Sequence, residues 1–397
     1  MQIYENPLIS IRAQRKSDDK IELVSDGALS SVAKPVLKRI NKIFAQEKAV
    51  PVYDTQLDSD KLVFSTWIPP VPSKAFNRMI SAEIASVMKK RIPDQMSIGI
   101  TMRCPNNCIH CGAADIIADP ELTLDEVNSA VDQSIDIGTY LVSFDGGEPM
   151  LRKDLVDMVA HVDKTRAIAT TFTSGFGVTP EKAHDLKNAG LYAARVSIDS
   201  PNPTEHDRVR GRVGSFDNAM DAISNLKEAG IMTDMFVVVS PNNIDDLDGF
   251  YCLAAENGMQ EMSIYEIIAV GRWMEHEDEV ISKNDVDRLG RFQKDMNKKS
   301  DGPRVTAFPY FMGPDMFGCF AGRRWLHITS AGDVCPCAYT PIAFGNIREE
   351  PVADIWKRMG GMYKDNADYC LMRNPEFRTK YIKSIPKGAQ LPYRRDQ

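Results

Sequence analysis

Residues 96–112 read MSIGITMRCPNNCIHCG, a short β-rich run that passes straight into three cysteines. The run MSIGIT has the composition of a strand, and it is the first of six. LVSFD (141–145), ATTFTS (169–174), AARVSID (193–199), MTDMFVVVS (232–240) and EMSIYEII (261–268) follow it. Amphipathic helical stretches at 123–138, 153–165, 180–189, 217–229 and 244–257 separate them. Strands joined by helical crossovers run parallel. Six units are too few to close an eight-strand barrel, and an open sheet of this kind carries its chemistry at the carboxyl ends of the strands.

Outward from that core the pattern changes on both sides. Residues 1–93 form a region of their own, in which Val36, Leu37, Ile40, Ile43 and Phe44 recur at helical spacing. Phe76, Met79, Ile80, Ile84, Val87 and Met88 do the same. Between these helices Trp67-Ile68-Pro69-Pro70-Val71-Pro72 is expected to be an extended, rigid connector, because proline blocks both helix and ladder pairing. The helix Phe76–Met88 ends in Lys89-Lys90-Arg91. It either approaches a lipid or another apolar small molecule, or packs on the flank of the barrel, the plainer reading. Residues 94–273 are the barrel and 274–304 a charged, helical linker. Residues 305–375 carry a second group of cysteines, and 376–397 form a basic tail expected to be irregular. The fold class is therefore α/β: a partial (β/α)6 TIM-like barrel with an N-terminal α+β extension and a C-terminal domain.

The composition is that of a soluble globular chain of 397 residues, with 43% hydrophobic and 26% charged residues. A net charge of -7 argues against a general nucleic-acid surface. No apolar run is long enough for a transmembrane segment, and the first residues lack a secretion signal, so the expected location is cytoplasmic. Cytoplasmic thiols stay reduced, so eight cysteines of which seven fall into two groups point to metal rather than to disulfides. The eighth, Cys252, sits in a helical stretch and is expected to be a buried thiol; His327 is read as core.

Cys104, Cys108 and Cys111 can wrap one iron–sulfur cluster from a single loop, since soft sulfur suits iron. Three cysteines leave one iron of a cubane open to a reactant. The rival reading is a structural zinc with His110 as fourth ligand, but zinc loops use a two-residue gap and a second ligand pair. After strand two come Gly146-Gly147-Glu148-Pro149, and paired glycines at a strand end admit a close ligand. Strand three ends in Thr173-Ser174 and strand four in Ser197-Ile198-Asp199; His206-Asp207-Arg208-Val209-Arg210-Gly211 follows. Taken singly, these are also ordinary turn and strand-end residues.

Together the CxxxCxxC loop, the GGEP turn and the HDxxRGxxGSF stretch resemble the radical S-adenosylmethionine (SAM) superfamily. The resemblance implies a [4Fe–4S] cluster on Cys104, Cys108 and Cys111 whose open iron binds SAM. It places His110 near the adenine and the Gly146, Gly147, Glu148, Pro149 turn at the methionine amino group. Ser174, Ser197, Asp199 and Arg210 become candidate contacts to ribose and carboxylate. It further implies reductive cleavage of SAM to a 5′-deoxyadenosyl radical that abstracts a substrate hydrogen.

In the second group, Cys319, twelve residues, Gly332, four residues, Cys337 and then Gly345-Asn346-Ile347 are similar to the opening of a SPASM or Twitch auxiliary-cluster domain. Ala331-Gly332-Asp333 reads as a hairpin turn that brings Cys319 towards Cys335 and Cys337, and Cys370 could close the set. The later run of closely spaced cysteines is absent and Cys335 is extra, which favours one auxiliary [4Fe–4S] cluster; structural zinc is the rival. The substrate expected is a small molecule or lipid, with a peptide- or protein-modifying maturase as the alternative. An electron donor such as flavodoxin or ferredoxin is implied. A non-catalytic electron carrier is a third class, disfavoured because a carrier has no use for an open iron.

Overall fold

The computed structural model describes residues 2–17, 20–44, 61–87, 89–114, 116, 118–314, 316–360 and 369–394. The chain opens with three antiparallel strands, β1 (Gln2–Asn6), β2 (Ile9–Ser17) and β3 (Lys20–Asp26), followed by helix α1 (Ser30–Phe44). Helix α2 (Lys74–Val87) leads to the barrel. Met88, the last residue of the expected helix, lies outside the described residues.

The barrel alternates β4 (Gln95–Thr101), α3 (Leu124–Asp136), β5 (Leu141–Gly146), α4 (Leu155–His161), β6 (Ile168–Thr173), α5 (Pro180–Asn188) and β7 (Leu191–Ser197). It continues through α6 (Pro203–Arg210), α7 (Ser215–Glu228), β8 (Met232–Val239), α8 (Leu247–Glu256) and β9 (Glu261–Glu266). Capping shows why these helices start where they do. Thr123 and Glu126 form a reciprocal capping box on α3, and Pro180 and Pro203 occupy the first turns of α5 and α6, where a missing N–H costs nothing.

Six parallel strands were expected, and they form the middle of a longer sheet. Helix α9 (Lys283–Met296) delivers β10 (Arg304–Ala307) parallel to β9, and the short helix α10 (Phe308–Phe311) follows. At the other edge β11 (Trp325–Ile328) pairs parallel with β4, and β12 (Val334–Cys335) returns antiparallel to β11. The strand order is β10-β9-β8-β7-β6-β5-β4-β11-β12. The C-terminal region is thus built onto the barrel sheet, and one hydrophobic core runs from Ile98 and Val142 through to Val334, Ile355 and Ile382. Strand β13 (Ile342–Ala343), helix α11 (Val352–Met359) and β14 (Tyr393–Arg394), which pairs with β13, complete it.

Three expectations change here. The tail is not irregular: Ile382 is buried, Arg378 Nη1 donates to the Ala269 carbonyl at 2.9 Å, and β14 is a strand; residues 395–397 lie outside the described set. The proline-rich connector is not extended, because Leu62 and Val71 exchange backbone hydrogen bonds of 2.8 Å and fold it into a closed loop. Cys252 is exposed, since α8 turns Phe250, Tyr251 and Ala254 inward instead. For α2 the plainer reading holds: Phe76, Met79 and Ile80 share a core with Ile11, Leu23 and Leu37 of the N-terminal module and with Tyr140, Leu141 and Ile168 at the base of the barrel, so no free apolar face is left for a lipid.

The tip of the closed loop, Ser65-Thr66-Trp67, enters the barrel from the amino-terminal end of the strands. The Arg195 guanidinium lies 3.5 Å from the centre of the Trp67 ring, and Arg195 Nη2 donates to the Thr66 carbonyl at 3.0 Å. Trp67 Nε1 donates to Ser263 Oγ at 2.8 Å and Thr66 Oγ1 to Asp234 Oδ2 at 2.9 Å. Ser65 Oγ donates to Glu261, which also pairs with Arg304. Two buried acids and two buried arginines around one tryptophan form the barrel floor.

Candidate active site

The loop carrying Cys104, Cys108 and Cys111 leaves the carboxyl end of β4 and is held from two sides. The end of α6 holds its middle: Asn107 N–H donates to the Arg210 carbonyl at 2.9 Å and Ile109 N–H to the Val209 carbonyl at 3.0 Å. The turn after β9 holds its end, with Arg272 N–H donating to the Cys111 carbonyl at 3.1 Å and Arg272 Nη1 to the Cys108 carbonyl at 2.9 Å. Contact with α6 is close because Gly211 closes that helix. At φ +65° it has no Cβ, which would stand 2.5 Å from the Asn107 carbonyl oxygen.

The three thiols line a cavity of about 630 Å³ that reaches from this loop to Trp67 on the barrel floor. Among the described residues no three His, Cys, Asp or Glu side chains converge tightly enough for a single metal ion. The loop presents its sulfurs around an opening, a donor set that fits a cluster held by three cysteines.

Seven of the nine expected cofactor contacts, His110, Gly146, Gly147, Pro149, Ser174, Ser197 and Arg210, line the same cavity. Gly147 packs so tightly under the cysteine loop that a Cβ would collide with the Arg103 carbonyl, while its own N–H donates to the Thr101 carbonyl at 2.7 Å. The other two, Glu148 and Asp199, stand behind the wall. Glu148 is fully buried and accepts hydrogen bonds from Thr173 Oγ1 (2.8 Å), Ser174 N–H (2.8 Å), Ser174 Oγ (2.6 Å) and Met150 N–H (3.2 Å). Burial pushes its pKa up against those bonds. Its carboxylate therefore ties the ends of β5 and β6 together.

Asp199 lies between Arg210 and His110, with Arg210 Nε 2.7 Å from Oδ2 and His110 Nε2 3.6 Å from Oδ1. Burial would raise its pKa, but Arg210, His110 and His206 outweigh it and hold the carboxyl below its usual range. Burial lowers the pKa of His110, so its ring is neutral at pH 7. Arg210 also reaches Cys108 Sγ at 3.8 Å. Asp199 thus anchors the arginine that lies against the cysteine loop.

Deeper in, the structure adds residues that sequence reasoning missed. Asp145, one residue before the paired glycines, lines the cavity, and burial raises its pKa from 3.8 to about 7. His327 Nδ1 stands 4.0 Å from Asp145 Oδ2 and shares a 2.8 Å hydrogen bond with the Ser97 hydroxyl, which also accepts from Trp325 Nε1 at 3.0 Å. His327 is buried, as expected of a core residue, yet it also faces the cavity; burial lowers its pKa to about 4. Tyr265, Glu266 and Tyr339 complete this end. Only β11 pairing beside β4 brings His327 to Ser97, and no local pattern announces that.

In the second cysteine group Cys319, Cys337 and Cys370 line one cavity. Cys319 accepts a hydrogen bond from Cys370, which pulls its thiol down to about 7. Cys335 lies in β12 opposite His327 and lines a different cavity, which it shares with Cys337, Gly112 and Ile116. The hairpin turn at 331–333 forms as expected.

Two family models match the chain: the radical SAM superfamily over residues 98–253 and the SPASM iron–sulfur cluster-binding domain over 319–382. An AdoMet-dependent heme synthase of Methanosarcina barkeri is 29% identical over 302 residues, covering 70% of this chain and 84% of that protein. The PqqA peptide cyclase of Rhizobium meliloti is 26% identical over 299 residues, covering 72% and 78%. Among solved structures, Streptococcus suis SuiB bound to its precursor peptide SuiA superposes with a TM-score of 0.59 over 91% of this chain and 90% of that one, at 15% identity. At that identity the likeness is one of fold.

Proposed function

From the premise that the chain is a radical SAM enzyme with a C-terminal SPASM domain, we propose that it modifies a peptide. One observation carries the reading. The N-terminal region is a three-stranded antiparallel sheet with helices, seated on the base of the barrel, and the likeness to SuiB with its peptide extends over 91% of the chain. The module presents Leu8, Leu29 and Val32, three of the exposed large apolar side chains, at one end, where Leu29 N–H donates to the Leu8 carbonyl. Exposed apolar residues beside a small sheet suit an extended peptide. The expectation of a lipid loses its support, because the apolar face of α2 is buried.

Cys104, Cys108 and Cys111 would hold the SAM-binding [4Fe–4S] cluster. When bound, that cluster and SAM supply a 5′-deoxyadenosyl radical, the reagent that side chains cannot make alone. The chain's own residues do the rest. His110, Ser197 and Arg210 would position SAM, Arg210 being fixed by Asp199 and Ser174 by Glu148. Asp145, held protonated by its burial up to about pH 7, would meet the substrate as a hydrogen-bond donor. A flavodoxin- or ferredoxin-type donor supplies the electron.

A small-molecule tetrapyrrole substrate is the second reading, favoured by the heme synthase relative. The test compares 5′-deoxyadenosine formation by reduced, cluster-loaded enzyme with synthetic precursor peptides encoded beside its gene and with iron-coproporphyrin. Peptide modification is expected, seen as a mass change. In Leu29→Asp/Val32→Asp the peptide Kd should rise at least tenfold while peptide-free SAM cleavage is unchanged. Turnover of the porphyrin with no peptide mass change would overturn the reading.

A further inference from the structure

We propose that the auxiliary cluster is held by Cys319, Cys337, Cys370 and the carboxylate of Glu266, and that Cys335 is not a ligand. The argument starts from which side chains face one another. Cys319, Cys337, Cys370 and Glu266 line one cavity, whereas Cys335 looks onto another beside Gly112, Ile116 and Thr329. Three cysteines satisfy three irons of a cubane and leave one without a protein ligand. Among the residues lining the cavity with them, the anionic oxygen donor is Glu266; Tyr265 and Tyr339 offer only phenols.

Glu266 has the properties of a ligand lacking its metal. It is 3% exposed, and among the described residues neither carboxylate oxygen accepts a hydrogen bond. Among the described residues the cation beside it is Arg373, whose Nη1 lies 3.2 Å from Oε2. Arg373 is itself tied to the third cysteine, because its N–H donates to the Cys370 carbonyl at 3.0 Å. A buried carboxylate left this poorly satisfied is costly unless a further cation meets it, and iron accepts carboxylate oxygen. Glu266 is also the last residue of β9, and it lines the large barrel cavity as well as the cysteine cavity. The carboxylate-bound iron would be the corner of the cluster turned towards the substrate.

The test uses the full chain with Cys104, Cys108 and Cys111 changed to Ala, so that only the C-terminal cluster contributes, reconstituted anaerobically. About four irons per chain are expected. Cys335→Ala should keep them and leave the electron paramagnetic resonance spectrum of the reduced cluster unchanged. Glu266→Ala should lower the count to about three and give a [3Fe–4S] signal on oxidation. Glu266→Cys should restore about four irons, lower the reduction potential and abolish the distinct Mössbauer doublet of the oxygen-ligated iron. That rescue separates lost ligation from lost folding. Loss of iron in Cys335→Ala, an unchanged spectrum in Glu266→Ala, or zinc in place of iron would each overturn the assignment.

Discussion

Single residues decide the character of this site, and Asp145 shows how. Its carboxyl keeps a proton up to about pH 7 in the folded chain, whereas its ordinary pKa is 3.8. A raised carboxyl binds more protons folded than unfolded, so its contribution to stability falls as pH climbs through that window. Asp145→Asn removes the titration and should gain up to about 4 kcal/mol over the parent at pH 8, with little difference at pH 4. Urea midpoints of anaerobic protein at the two pH values measure it, and parallel curves would show that Asp145 is not the titrating group. At this scale the sequence was legible where chemistry is spelled locally, in the cysteine loop and the paired glycines. Asp145, His327 and Glu266 gave no such signal, since an isolated acid or histidine becomes notable only when distant strands enclose it. Glu148 and Asp199 were expected to touch the cofactor, and the structure sets them behind the cavity wall, bonded to Ser174 and Arg210.

Among the elements, α6 holds the cysteine loop in shape. Gly211→Ala would place a β-carbon in the left-handed region and 2.5 Å from the Asn107 carbonyl oxygen. The cost is ~1–2 kcal/mol of backbone strain, and displacement of the loop should cost more in metal than in stability. Iron per reconstituted chain should fall towards that of the triple-cysteine variant, with a thermal midpoint only a few degrees lower; full iron occupancy would contradict this. Sequence patterns found the six central strands because buried parallel strands read as continuous β-rich runs. They missed β1–β3, although Ile9, Ile11 and Ala13 do alternate inward with polar neighbours. They also missed β10, four residues long and too short to show a period, and while the hairpin at 331–333 announced β11, nothing announced its pairing with β4. The proline-rich segment misled in the opposite way, because its residues fold back through the N–H and carbonyl that Val71 retains.

Over the whole molecule, the N-terminal module and the barrel are joined by buried charge. Arg195 sits under Trp67, with Nε 3.5 Å from Asp234 and Glu261 nearby. Arg195→Leu would strand Asp234 and should cost ~3–5 kcal/mol, the penalty of an unpaired buried charge. Adding Asp234→Asn should recover part of that loss in urea unfolding, and no recovery would mean that the packing of Trp67 dominates. Within the central sheet the most distant strands to pair are β4 and β11, in which Ser97 meets His327 across 230 residues. A ribosome makes β4 long before β11, so one edge of the central sheet must wait, unpaired, through most of translation. A waiting edge is a template for pairing with another nascent chain. Slow or interrupted synthesis between these two strands should therefore favour aggregation over folding.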